Sequence, residues 1–327
     1  MKHTWGVTAI LLVMFVITQL IGLAVINAYT PVKIIDGVSQ EKPSPQVPYG
    51  MEPPKDIQPE ISILTIVTAF IIAIVLIALL SKIKAKLFLR TWFFIVIILA
   101  IGITLNSIFF KFNLPYPSAI AALVALPLAF YKIFRQNLIV HNITELLIYP
   151  GIAVVFVPIL NIWTIIILLL LISIYDIYAV WHSGFMQKMA RFQINHLKFF
   201  AGFFVPYLGK KQRKQVREIK QKYKSKKRME AALKKKKIKI SLAILGGGDV
   251  IFPIIASGIF LQKFGFNTIN IFNFSLLLPV ASLILTFFAT TALVGLFVLA
   301  KKGKFYPAMP FISAGIFAGM LVAKLVV

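Results

Sequence analysis

Residues 161–180 read N-I-W-T-I-I-I-L-L-L-L-I-S-I-Y-D-I-Y-A-V, and residues 240–256 read I-S-L-A-I-L-G-G-G-D-V-I-F-P-I-I-A. Both belong to apolar runs long enough to cross a bilayer core, which takes roughly 20 helical residues. Each holds one aspartate, Asp176 and Asp249. An ionisable side chain at membrane depth costs at least about 2–3 kcal/mol, so its default reading is functional. The chain has ten acidic residues. Asp36, Glu41, Glu52, Asp56 and Glu60 share one Pro-rich loop, Glu218 and Glu230 a basic loop, and Glu145 lies near the start of a span. Asp176 and Asp249 remain as the mid-membrane acids. No Lys, Arg or His is expected deep in an apolar run, so their natural partners are each other and water.

The 327 residues are 59% hydrophobic and 14% charged, far from the composition of a soluble domain. Apolar runs recur along the whole length and predict an all-α polytopic membrane protein. We place nine spans at about 5–29, 61–80, 91–110, 117–133, 143–160, 162–182, 240–262, 275–300 and 306–326. The first is longer than a signal-peptide core of about 7–15 residues and reads as an uncleaved span. There is no Cys, which excludes disulfides and thiol chemistry. His3, His141, His182 and His196 lack zinc-protease spacing. No metal or cofactor is implied.

The net charge of +25 is concentrated between Lys210 and Lys239 and otherwise punctuates span ends. Lys82, Lys84, Lys86 and Arg90 follow span two; Lys132 and Arg135 follow span four; Lys301, Lys302 and Lys304 follow span eight. The positive-inside rule then places the N-terminus in the cytoplasm and the C-terminus outside, in the cell membrane. The loop over 30–60 is external and reads as irregular. Residues 210–239 suit anionic lipid headgroups; with few interleaved aromatics they do not suit nucleic acid. Residues 185–206 read as an amphipathic surface helix. The chain thus divides into 1–183 (six spans), 184–239 (amphipathic and basic loop) and 240–327 (three spans).

Counted by helical rise from the cytoplasmic end, Asp176 lies roughly 9 Å deep and Asp249 roughly 13–14 Å. Spans six and seven are consecutive and antiparallel, so the carboxyls can meet. Two adjacent carboxyls hold one proton between them, giving a base and an acid, as in aspartic proteases. Gly246, Gly247 and Gly248 permit close helix approach, or simply pack. Pro307 and Pro310 break the start of span nine. They leave a backbone edge for an extended peptide, or merely mark a helix start.

Tyr175-Asp176, Gly246-Gly247-Gly248-Asp249 with the following V-I-F-P, and Pro307-Ala308-Met309 together resemble the Y-D, G-x-G-D and P-A-L motifs of the GxGD intramembrane aspartyl proteases. Presenilin and signal peptide peptidase are the best-known members, and this chain looks like an archaeal or other microbial homologue. Met309 stands where the family usually has Leu. The resemblance implies a presenilin-like nine-helix fold and hydrolysis of peptide bonds within transmembrane helices or signal-peptide remnants. It also implies an Asp176–Asp249 dyad, glycines that let it form, a site-shaping and substrate-holding Pro307-Ala308-Met309, and a supporting Tyr175. The inside N-terminus is similar to presenilin and implies substrates of type I-like orientation. Two other readings compete. A proton- or ion-coupled transporter or channel would use the acids as a relay, but no internal repeat is evident. A prepilin-type peptidase shares G-x-G-D but has fewer spans and no P-A-L.

A shared-proton pair predicts an acid limb in the pH–rate profile, as the single proton becomes two. A profile flat down to about pH 3, below the ordinary aspartate value, would contradict it.

Overall fold

The computed structural model describes residues 5–52, part of 64–79, 86–135, 137–182, 201–207, 212, 241–271, 274–300 and 306–326. Eight described helices are long and apolar enough to cross a membrane. In chain order they are α1 (Trp5–Tyr29), α2 (Lys86–Lys111), α3 (Pro117–Phe134), α4 (Leu138–Phe156), α5 (Ile162–Trp181), α6 (Gly247–Phe264), α7 (Val280–Leu299) and α8 (Met309–Val326). The expected second span falls in the partly described stretch and is helical where described. The surface helix expected up to residue 200, and nearly all of the basic loop, lie outside the described residues.

Three two-stranded antiparallel ribbons join this bundle: β1 (Val32–Ile35) with β2 (Val38–Glu41), β3 (Gly202–Tyr207) with β4 (Ser241–Gly246), and β5 (Asn267–Ile271) with β6 (Phe274–Leu278). The protein is mostly helical, as expected, and the strands change the extent of expected elements at four places. Residues 241–246, expected as helix, are strand, and α6 begins only at Gly247. Residues 202–206, expected in a surface helix, form a strand whose Phe203 is fully buried. Residues 275–278 are likewise strand. The external loop is not irregular throughout, because β1 and β2 pair from Val32–Glu41 to Ile35–Val38.

That hairpin has a local cause. Asp36 and Gly37 both adopt positive φ, 47° and 81°. This is the geometry of a two-residue type I′ turn, for which Asp-Gly is among the strongest sequence signals. The hairpin docks on the chain after α6. Asp36 N donates to Phe266 O at 2.9 Å, and Phe266 N to Ile34 O at 2.8 Å. The Asp36 carboxylate accepts from Thr268 N at 2.8 Å and Thr268 Oγ1 at 2.6 Å. Behind it, Lys42 binds Asn27 through both side chain and carbonyl, and the Tyr49 hydroxyl donates to Ser118 O at 2.7 Å.

Lipid tails are as apolar as side chains, so close packing of small residues holds such helices together. At Gly151 in α4 the backbone of Ala100 in α2 occupies the space a Cβ would need. At Gly315 in α8 a Cβ would lie 2.7 Å from Phe288 O in α7. α6 runs through the middle: every residue from Pro253 to Leu261 is buried. The helix order puts the ends of α3 and α5, the starts of α4, α6 and α8, and the β3–β4 ribbon at one end of the bundle. The other two ribbons lie at the opposite end.

Two donors from Thr268 hold the Asp36 carboxylate below the usual aspartate range. A depressed folded-state value means the clasp is complete above the ordinary value, about 3.9, and is lost as pH falls through the depressed one. Protection of the Thr268 amide against hydrogen exchange, corrected for intrinsic rate, is expected to collapse only in that acid window. Asp36→Asn, which keeps the turn and one acceptor, should remove the pH dependence.

Candidate active site

Asp176 lies on the buried stripe of α5 formed by Leu169, Ile172, Ser173 and Ala179, at helical spacing. It is 6% exposed. The adjacent Tyr175 is half-buried on another face. Asp176 is held by the start of α8. Met309 N donates to Asp176 Oδ2 at 3.1 Å, and the Ala308 N–H is a second donor. The first turn of a helix carries backbone N–H groups with no partner inside the helix, and the positive end of its dipole. Pro310 has no N–H to contribute. Asp176 therefore caps a helix that begins 133 residues later in sequence. One turn earlier, the Ser173 and Ser313 hydroxyls meet at 2.9 Å and tie α5 to α8 again.

Asp249 is the third residue of α6, after an extended Gly246 at the N-cap. Its carboxyl reaches back to the Gly246 backbone N–H. That is half of a capping box, with the acid in the position Glu or Gln usually takes. Pro253 has no N–H, so the Asp249 carbonyl lacks its helical donor four residues on. On the α1 side, Gln19 Nε2 donates to Val250 O at 3.0 Å. The beginning of α6 is thus fixed by contacts from outside the helix. Asp249 is half-buried, and Gly248 beside it is exposed.

α5 and α6 pack together, and the two carboxyls are near enough for the charge of Asp176 to act on Asp249. The depths assumed from helical rise do not hold for Asp249, because a strand precedes it. Among the described residues neither aspartate has a cationic partner within salt-bridge distance. No described group of His, Cys, Asp and Glu suits a metal ion.

The glycines differ in what they do. A Cβ on Gly246 would come 3.1 Å from Asp249 Oδ2. One on Gly247 would come 3.0 Å from the Tyr149 hydroxyl oxygen. Gly248 meets nothing closer than Phe252 at 3.7 Å, so the tight approach falls on the first two. Pro307 and Met309 are buried and Ala308 half-buried. Because the Ala308 and Met309 N–H groups are taken by Asp176, they are not an open edge for substrate. A groove of about 960 Å³ beside Trp163, Lys263 and Lys324 includes neither aspartate and belongs to the other end of these helices.

Sequence reasoning missed a second buried polar group. Lys132 and Glu145 are 3% and 1% exposed and bond at 2.6 Å, with His141 beside them. The signal was present: Glu145 is one of few acids, with a His one turn before it. Tyr149, one turn further, is fully enclosed and packs edge-on against Phe203.

The chain matches the family model "Signal-peptide peptidase, presenilin aspartyl protease" over residues 12–327. No curated protein matches it in sequence. Among solved structures it is similar to a presenilin family intramembrane aspartate protease in two crystal forms. For the C222 form the TM-score is 0.56 at 16% identity, covering 98% of this chain and 99% of the other. For the P2 form it is 0.56 at 15% identity, covering 99% and 98%.

The buried Tyr149 hydroxyl lies near Glu145 without a hydrogen bond of good geometry to it or to any other described group. An unmet buried hydroxyl is costly by about 1–3 kcal/mol. Tyr149→Phe is expected to leave the thermal midpoint in detergent unchanged or raised. A clear drop would mean that the hydroxyl is bonded after all.

Proposed function

Since the chain belongs to the signal-peptide peptidase and presenilin aspartyl protease family and folds as a membrane-spanning bundle, it is an intramembrane aspartic endopeptidase, and we propose that Asp176 and Asp249 are its catalytic pair. The observation that carries this reading is the convergence of both carboxyls at one end of the bundle, each held by backbone N–H groups of a helix start.

The chemistry needs one proton shared by the pair and one water between them. Asp176 must accept from two N–H groups and is the member suited to act as carboxylate. It takes a proton from the water as the oxygen attacks the scissile carbonyl carbon. Asp249 gives its proton to the carbonyl oxygen, forming a neutral gem-diol. Asp249 then takes a proton back as the carbonyl re-forms, and Asp176 passes its own to the leaving nitrogen. One water is consumed, and the pair ends with the single proton it began with. The exposed Gly248 beside the half-buried Asp249 marks where water enters.

A helical substrate hides its carbonyls in i→i+4 hydrogen bonds, so it must be extended at the cut. β4 runs directly into Gly246 and Asp249. Its bonds to β3 run through Gly247, Leu245 and Ala243, so Leu242 and Ile244 point their backbone groups to the other side. A peptide strand added there would pass beside the dyad. Gly246 and Gly247, without a Cβ, leave room for the Asp249 carboxyl and the Tyr149 hydroxyl, and Pro307-Ala308-Met309 fixes Asp176 through backbone.

The remaining positive-inside charges support a cytoplasmic N-terminus, an external C-terminus and a cell-membrane location. Lys132 drops out of that count, because it is buried against Glu145. With this orientation the dyad lies in the cytoplasmic half of the membrane, substrates run type I-like, and residues 210–239 rest on anionic headgroups.

The test is cleavage of single-span reporters in both orientations by purified protein in detergent. Asp176→Asn and Asp249→Ala are each expected to lower the rate by at least about a hundredfold while remaining folded. A transition-state aspartyl inhibitor should do the same. Normal turnover by either variant would remove the dyad. Proton flux that depends on Asp176, with no reporter cut, would favour transport.

A further inference from the structure

The Lys132–His141–Glu145 cluster, unused by the chemistry above, touches the active site through the backbone of β3. Lys132 Nζ donates to Glu145 Oε1 and, at 3.2 Å, to His141 Nδ1. An ammonium has only donors, so Nδ1 accepts and the ring proton sits on Nε2. That Nε2–H donates to Gly202 O at 2.8 Å. Glu145 Oε1 also accepts from Gly202 N at 3.3 Å. Next on the same helix, half-buried Asn142 accepts from Phe204 N at 3.0 Å and donates to Phe204 O at 2.8 Å.

The register explains why these atoms are on offer. In an antiparallel ladder, residues that bond across the pair alternate with residues whose backbone groups point outward. Gly247 N donates to Ala201 O, and Gly202 opposes Gly246. Gly202 and Phe204 therefore turn their N–H and C=O away from β4. Pro206, the next outward position, has no N–H. The start of α4 meets the outward groups of Gly202 and Phe204 one for one, as a third strand would.

We propose that His141, Asn142 and Glu145, oriented by Lys132, act as a surrogate strand that closes the outer edge of β3 and thereby positions Asp249. The proposal rests on the reading of Asp249 as catalytic. β3 holds the start of α6 through the Ala201–Gly247 bond, and the Gly246 N–H holds the carboxyl. Loss of the edge contacts lets the ribbon shift against α4, and Asp249 shifts with it. An isolated two-stranded ribbon is marginal, which is why its outer edge needs a fixed partner. A buried ion pair adds little stability over apolar packing, and fixing a register is a use such pairs are known for. Closure of this edge also leaves the β4 side as the place where an extended peptide adds.

Removing Lys132 or Glu145 alone would strand a buried charge, so the test uses residues that avoid this. Asn142→Leu keeps size and deletes both hydrogen bonds with Phe204. His141→Leu deletes the Gly202 contact, and His141→Gln can restore it, with its amide N–H to Gly202 O and its amide oxygen to Lys132. Three quantities are measured on purified protein: reporter kcat and KM, affinity for a transition-state aspartyl inhibitor, and hydrogen exchange at Phe204 and residues 247–250. Both Leu variants are expected to lose exchange protection at both places. Their kcat, taken per folded protein, should fall at least about tenfold with KM within about twofold, and inhibitor affinity should weaken in parallel; the melting point should drop as well, because backbone groups of β3 lose their partners, and His141→Gln should recover most of kcat. If Phe204 loses protection while residues 247–250 and kcat stay as in wild type, the cap exists but positions nothing, and the proposal fails. If kcat falls only with the folded fraction, the role is structural and the proposal fails. If exchange behaves as expected but Asp249→Ala still cuts, the cap stands and the dyad reading falls.

Discussion

Helix starts hold both acids, and the rest of the site follows from that constraint. The first turn of a helix cannot satisfy its own N–H groups, and inside a membrane no solvent does it instead. The start of α8 solves this with Asp176 from a different helix. The start of α6 solves it with Asp249, its own third residue. Each carboxyl gains fixed donors, and each helix gains a cap. The donors are backbone groups, so they do not depend on which side chain follows the proline. This accounts for Met309 at a position where Leu is usual: its amide does the holding, while its side chain packs in the core.

The parts legible in the sequence were those written in hydropathy and rare charges. Eight of the nine spans sit close to described helices or to a helix with a strand before it, and Asp176 and Asp249 stood out because acids are scarce. The strands were not legible for a physical reason. S-L-A-I-L-G at 241–246 is a short apolar run next to a longer one, and periodicity cannot separate a buried strand from buried helix at that length. Phe203, Phe204 and Val205 are all buried on β3, so no strand alternation marks it, and neighbouring Phe and Lys residues mimic an amphipathic helix. Asp36-Gly37 was different: its turn signal was present and was outweighed by the prolines around it.

The buried ion pair was hidden by position. Lys132 and Glu145 stand near the ends of their spans, where charge is ordinary, and an end charge reads as a marker of the membrane surface. Only the packing of α4 against α3 and β3 shows that they face inward. The same end of the bundle therefore holds two polar groups with different logic. One pairs opposite charges and binds backbone. The other sets like charges together and leaves them the proton. Chemistry requires the second to be strained and the first to be settled.

The clasp at the opposite end has a consequence for how the chain is made. Asp36 and Thr268 are 232 residues apart, and Gln19 and Val250 are 231. At a synthesis rate of about 5–20 residues per second, α1 and its hairpin wait some tens of seconds for these partners. The Asp-Gly turn presets the register of β1 and β2 locally, and the hairpin is fixed only when Phe266 and Thr268 arrive. α6, the most enclosed helix, arrives late and is received by a cradle of helices made before it. The order of assembly is thus from the rim inward, and the catalytic end is completed only when α8, the last helix to emerge, delivers its first turn to Asp176.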